Sequence, residues 1–212
     1  MESLTKILEP TKGNFELAAN CVKDGGVIVT PSDTNLALTL NPWCEDSIDR
    51  VFKIKNRPAT SPLTLFLLNP EEWQDYADVD DIGMIQTLVE AFWPGPLNII
   101  LRKKETVPSK MVCGGETIAM GCLSNPIWKG FMKQLKTPVA MTSANLSGKA
   151  NGVLVDLKIV MKQIGHKVDY ILDGEPQGTT KSSTIIDLSG NDPIITRYGD
   201  ISLHQINKVL NF

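Results

Sequence analysis

Most features that place a chain in a class at sight are scarce in this sequence. There is no surplus of positive charge: 21 Lys and Arg stand against 24 Asp and Glu, a net charge of −3. Proteins that grip duplex nucleic acid along a whole face gain affinity by neutralising phosphates, so this balance leaves room only for local anion sites. No stretch approaches the roughly 18–20 apolar residues that span a bilayer. Met1 to Lys6 shows no basic segment followed by an apolar run, so no signal peptide and no membrane partner are expected. The four cysteines, Cys21, Cys44, Cys113 and Cys122, are widely spaced without a C-x-x-C pair, and only His166 and His204 accompany them. That scatter argues against a bound metal of ordinary zinc spacing and fits free thiols in a reducing cytoplasm. No G-x-x-x-x-G-K-[ST], G-x-G-x-x-G or G-x-S-x-G occurs, and Gly178-Thr179-Thr180-Lys181-Ser182 lacks the glycine before its lysine. A histidine-activated nucleophile is not expected either.

What is present is the making of one α/β domain over residues 1–212, with 42% apolar residues and no repeat or linker. Asn14 is placed to cap a helix whose Leu17, Ala18, Cys21 and Val22 share a face, ended by Gly25-Gly26. Val27 to Val29 is a short apolar run between glycine and proline, read as a buried strand. Ser47 to Lys55 reads as a helix stopped by Pro58, and Ile82 to Phe92 as another. Pro126 suits the first turn of a helix with an apolar stripe of Ile127, Phe131, Met132 and Leu135. Strands are expected over 63–68, 97–101, 117–120, 139–141, 170–172, 184–188 and 194–196, with a last helix capped by Ser202.

Small polar clusters fall at the C-terminal ends of these strands, where open α/β sheets place ligands. They are Ser32-Asp33-Thr34, Lys55-Asn56-Arg57, Thr142 to Gly148, Lys181 to Thr184, and Arg197. Lysine, arginine and hydroxyls with few carboxylates suit the recognition of phosphate. Taken singly, each cluster is as readily a cap, a turn or an exposed helix end.

In order and spacing the clusters resemble the YrdC-like family that makes threonylcarbamoyl-adenylate. Residues 25–40 resemble its P-T-D-T-x-Y-G-L opening, and 48–67 its helix with K-x-R-P and P-L. Phe92 to Leu97 resembles W-P-G-P-x-T, 118–126 resembles V-x-V-R-x-P-x-x-P, and 138–148 resembles P-[LV]-x-x-[TP]-S-A-N-x-S-G. Ser183 to Leu188, then Arg197 and Gly199, resembles the closing S-T-V-V-D-L and R-x-G.

The resemblance implies a twisted open α/β sheet with flanking helices and a large concave cleft. It implies ATP as substrate with Mg²⁺, and the joining of L-threonine, bicarbonate and ATP into threonylcarbamoyl-AMP for t6A modification of tRNA. Its partners would then be these small molecules, with tRNA or tRNA-modification proteins. By matched position, Lys55 and Arg57 would be catalytic and hold phosphates, and Ser143, Asn145 and Arg197 would contact nucleotide. Among substrate-binding positions, Thr34 would lie near the amino acid, Met141 would lend backbone contacts and Ser183 would contact substrate. Two departures bear on the acceptor: Y-G-L is Leu36-Ala37-Leu38, and the arginine that pairs with the threonine carboxylate is Gly121. A histidine carried by some members is Phe66. Losing a buried partner for a carboxylate costs several kcal/mol, so a larger, more apolar pocket is expected, in which Gly121→Arg would restore threonine use. Three readings are open: the synthase itself, a carbamoyl-adenylate enzyme with another acceptor, and a non-catalytic nucleotide- or RNA-binding relative.

Overall fold

The structure, a computed structural model, describes residues 5–57, 60–79, 82–149, 154–175 and 182–210. The chain runs β1 (Lys6–Leu8), α1 (Lys12–Lys23), β2 (Val27–Pro31), β3 (Leu36–Leu40), α2 (Glu45–Lys55), β4 (Thr64–Phe66), β5 (Ala77–Asp78) and α3 (Gly83–Phe92). It continues β6 (Leu97–Lys103), β7 (Thr117–Gly121), α4 (Pro126–Leu135), β8 (Val139–Ser143), α5 (Leu157–Gln163), β9 (Tyr170–Leu172), β10 (Thr184–Asp187), β11 (Ile194–Arg197) and α6 (Leu203–Leu210). Among the described residues these strands form a single mixed sheet in the order β1-β9-β2-β3-β8-β4-β7-β6-β10-β11, with β5 beside β6.

Side chains alternate between the two faces of a strand, and the register decides what each face carries. Leu38, Leu65, Ile99, Met120, Ala140 and Ile186 face one way and join the larger hydrophobic core. Ala37, Thr64, Phe66, Asn98, Ile100, Ala119, Met141 and Ile185 face the other and are linked across adjacent strands by the pairing. On that second face, α1 and α4 cover part of the sheet through a cluster with Trp128, Phe131, Ala19 and Val22. Trp128 and Phe131 are fully buried there, each contributing on the order of 1.5–3 kcal/mol by burial. Thr34, Arg57, Ser143, Ser183 and Arg197 meet on the remainder of that face.

Several elements start where other physics outcompetes the expected signal. Helix α1 opens at Lys12, and its cap is Thr11, whose hydroxyl accepts from Asn14 N. Asn14 sits inside the first turn and donates to Glu9 O, while Leu17 is 38% exposed. Strand β3 carries no alternation because all its residues are buried, and no strand was expected there. Helix α5, capped by the Asp156 carboxylate, was not expected either. Pro126 occupies the first turn of α4 behind Asn125, and Ser202 Oγ accepts from Gln205 N as a cap should. The expectations for Pro58 and Lys181 fall outside the described residues.

Candidate functional site

A cleft of about 460 Å³ lies on the small-residue face of the sheet. One wall starts at the end of α2. Asn56 adopts the left-handed conformation (φ 49°, ψ 49°) and turns the chain out of the helix. Arg57 then lies over the Phe52 ring, with its guanidinium carbon 5.3 Å from the ring centroid. It donates to Thr142 Oγ1 at 3.3 Å and to the carbonyls of Ser61 and Pro62, while its Nε is buried with no partner. Arg57, Thr142 and Ser143 all border the cleft.

Lys55 stands behind this wall. Its ammonium donates to the carbonyl of Ser143, to Ser143 Oγ at 3.4 Å and to Asn145 O at 2.9 Å. Ser147 N returns a bond to Lys55 O, so the lysine clamps the turn that follows β8. Lys55 is 2% exposed, and burial, helped by the Arg57 charge, pushes its pKa down to about 7. Asn145 is also buried here; its amide donates to Leu146 O and its Oδ1 has no partner.

The opposite wall is made by β10, β11 and the turn after β2. Arg197 Nε donates to Ser183 O at 2.8 Å, and Ser183 Oγ lies 3.5 Å from Thr34 Oγ1. Gly199 permits this approach: a Cβ there would stand 2.5 Å from Ser183 C and 2.6 Å from Thr184 N. Burial lowers the pKa of both Arg57 and Arg197 from the usual arginine range, though a guanidinium stays charged. Ion pairs among the described residues join Lys12–Glu16, Arg50–Asp169 and Lys110 with Glu45 and Asp49; none involves Lys55, Arg57 or Arg197. Asp33, the carboxylate of the Ser-Asp-Thr cluster, is turned away from those cations. It accepts from the backbone N–H groups of Ser124 and Asn125 at 2.7–3.0 Å and so anchors the loop entering α4. Burial raises its pKa, against the lowering effect of those two donors.

The structure thus brings Thr34, Arg57, Met141, Ser143, Ser183 and Arg197 to one cleft, with Lys55 and Asn145 directly behind it. The expectation of open space at Gly121 is corrected, while Phe66 does line the cleft. A Cβ on Gly121 would lie 2.7 Å from both Asn98 Oδ1 and Phe66 Cε1, so those two side chains already fill the space above the glycine. Leu36 is not a cleft wall; it is 1% exposed in the core, and Ala37 takes the lining position. Asn98 escaped the sequence reading. Its signal was a polar residue inside the apolar run Leu97-Asn98-Ile99-Ile100-Leu101, at the threonine position of W-P-G-P-x-T.

Mixed sheet, flanking helices and a cleft bordered by Arg57 and Arg197, neither in an ion pair among the described residues, define an α/β protein with a cationic cleft. The Sua5/YciO/YrdC family model, described as telomere recombination, matches residues 9–199, and the chain belongs to that family. It is 30% identical over 197 residues to a threonylcarbamoyl-AMP synthase of Pyrococcus abyssi, covering 92% of this chain and 57% of the relative. It is 30% identical over 191 residues to the uncharacterized protein YciO of Escherichia coli, covering 90% and 91%. The structure of P. abyssi Sua5 complexed with L-threonine superposes with a TM-score of 0.90 at 28% identity, covering 98% of this chain and 61% of that one. The chain spans a little over half the length of the first synthases it matches, 57% and 55%. No helix among the described residues is long and apolar enough to cross a membrane.

Proposed function

We propose that this chain is a single domain that forms L-threonylcarbamoyl-AMP from threonine, bicarbonate and ATP, the adenylate used in t6A modification of tRNA. The observation that carries the reading is Arg57 and Arg197 on opposite walls of one cleft, neither paired with a carboxylate among the described residues. Arg57 is half-buried without a counter-charge, a cost that an anionic ligand relieves, and Arg197 presents a second, more exposed charge across the cleft. A triphosphate between the two walls supplies the counter-charge.

In the reaction the threonine amine bonds the bicarbonate carbon with loss of water, giving a carbamate. A carbamate oxygen then attacks the α-phosphorus, and pyrophosphate leaves. The protein's part is positioning and charge neutralisation. Arg57 and Arg197 take phosphate and nucleotide oxygens. Ser143 presents its hydroxyl from a turn that Lys55 and Asn145 hold rigid. Thr34 and Ser183 offer paired hydroxyls to the acceptor, and Met141 lines the floor between. No group of three or more His, Cys, Asp or Glu side chains suited to a metal occurs among the described residues. Mg²⁺ fits instead as part of MgATP, held mainly by the phosphates. The adenylate would pass to tRNA or to tRNA-modification proteins in the cytoplasm.

The test is calorimetry of MgATP binding, followed by pyrophosphate release with bicarbonate and threonine. Binding with threonine-dependent release supports the synthase. Binding without release under any amine removes the catalytic reading, and no MgATP binding removes the nucleotide site as well.

A further inference from the structure

Two loops that no strand ladder joins meet at the acceptor end of the cleft. The turn 32–35 between β2 and β3 presents Thr34, and the loop 122–125 from β7 into α4 presents Leu123. In the sheet order β8 and β4 stand between β3 and β7, so side chains must set the spacing of these loops. Asp33 Oδ1 accepts from Ser124 N at 3.0 Å and from Asn125 N at 2.7 Å, and its Oδ2 from Ser124 N at 2.8 Å. Asn125 answers by donating to Ser32 O at 3.3 Å, while its Oδ1 caps α4 at Ile127 N and Trp128 N. Within the turn, Ser32 Oγ accepts from Thr34 N and Asn35 N and donates to Asn35 O. The backbone around Thr34 is thus pinned, whereas its Oγ1 lies 3.5 Å from Ser183 Oγ, beyond the roughly 2.7–2.8 Å of a good hydroxyl pair. Both hydroxyls keep capacity for a ligand.

We propose that Asp33 is a positioning residue for threonine: by clasping the loop 122–125 to the turn 32–35 it fixes the spacing of Thr34 and Leu123 without itself touching substrate. This rests on the reading of the cleft as a threonylcarbamoyl-AMP synthase. Threonine carries a hydroxyl and a methyl on one carbon, and the clasped loops meet both. Thr34 and Ser183 offer hydroxyls, and Leu123 offers an apolar surface continuous with Ala37 and Met141. Asp33 is 4% exposed, and a carboxylate costs more to bury than a neutral side chain. Its bonds to N–H groups are directional and charge-assisted, so they hold a spacing that apolar packing alone would leave loose. The nucleotide walls do not depend on the clasp. Arg57 bonds to Thr142, Ser61 and Pro62, and Arg197 to Ser183, all outside both loops.

The experiment measures pyrophosphate release against threonine concentration at saturating MgATP and bicarbonate, with calorimetry of MgATP alongside. The wild type comes first: no threonine-dependent release there removes the synthase reading, and this proposal with it, before any variant is made. Asp33→Ala should raise the threonine KM about tenfold or more, with kcat within about threefold and MgATP affinity within about twofold of the wild type. Asp33→Asn keeps an acceptor oxygen but no charge, so its threonine KM should fall between the two, and it serves alone if the alanine variant does not fold. A merely structural role would instead lower the fraction of active protein, seen as reduced kcat and reduced MgATP stoichiometry at an unchanged threonine KM. That pattern, a wild-type threonine KM in the variants, a loss of MgATP affinity in step with the rise in KM, or failure of both variants to fold would each overturn the proposal.

Discussion

The two ends of one cleft solve opposite electrostatic problems. At the nucleotide walls, guanidinium groups stand without carboxylate partners among the described residues and are held by carbonyls and hydroxyls: half-buried Arg57 by Thr142, Ser61 and Pro62, and the more exposed Arg197 by Ser183. At the acceptor end, Phe66, Gly121 and Asn98 hold no charge at all, and the one strongly polar group is an amide with an orphaned oxygen. The first end offers charge to a ligand, the second offers none of its own. Both sit on the same sheet face, so the contrast arises from side chains and not from topology.

The sharpest way to break the contrast is to collapse the Arg197 wall without touching a charge. Gly199→Ala places a Cβ against backbone atoms of residues 182–184, which cannot swing aside as a side chain would. The expected cost is about 3 kcal/mol of stability with loss of MgATP binding. Thermal melts and calorimetry check it; a variant that melts and binds like the wild type would show that the 197–199 segment does not set the wall. Next in size is Arg57→Ala, which should weaken MgATP by about 1.5–3 kcal/mol, roughly tenfold to a hundredfold. It should leave the affinity for threonine in the absence of nucleotide unchanged. A changed threonine affinity would mean that Arg57 also reaches the acceptor and the two ends are not separate.

At the acceptor end, Gly121→Arg is expected to bring no gain in threonine use. Its Cβ alone must displace Phe66 and Asn98, costing about 1–2 kcal/mol. The double variant Gly121→Arg with Phe66→Ala opens the space, and threonine affinity should then rise above that of Gly121→Arg alone. Steady-state pyrophosphate release against threonine concentration decides it. Improvement with the single variant would show that the ring yields easily and that shape does not guard this end.

These contrasts were unevenly legible in the sequence. The cationic clusters could be read because lysine, arginine and hydroxyls recur at strand ends in a fixed order, and the structure gathers Thr34, Arg57, Ser143, Ser183 and Arg197 around one cleft. The glycine at 121 could be read as a missing charge but not as a filled space. What fills it comes from β4 and β6, which lie either side of β7 only through long-range pairing. Asn98 was hidden for the same reason: an asparagine in an apolar strand says nothing until its face is known. Lys55 matches a phosphate ligand by position, and what only the structure adds is that its bonds to Ser143 and Asn145 clamp the turn that carries the hydroxyl. Strand β3 was lost because burial on both faces erases the alternation that marks a strand.

That clamp makes the smallest effect also the most specific. Free Lys55 has its pKa pushed from 10.5 down to about 7, so between those values the unfolded chain holds a proton that the folded one releases. Stability of the free protein should therefore rise with pH from about 7 towards 10.5 through this group. A triphosphate reverses the preference, because a nearby polyanion favours the charged lysine. MgATP binding should then take up as much as one proton at Lys55, and its affinity should fall by at most about tenfold per pH unit above 7. Measuring between about pH 7.5 and 9 keeps clear of the phosphate's own titration near 6. Calorimetry in buffers of different ionisation enthalpy counts the proton directly, and Lys55→Met should abolish the uptake. An affinity flat across that range would mean the Lys55 charge is already satisfied by the Ser143 and Asn145 carbonyls. The lysine would then belong to the scaffold of the nucleotide wall alone, and Arg57 and Arg197 would carry its charge.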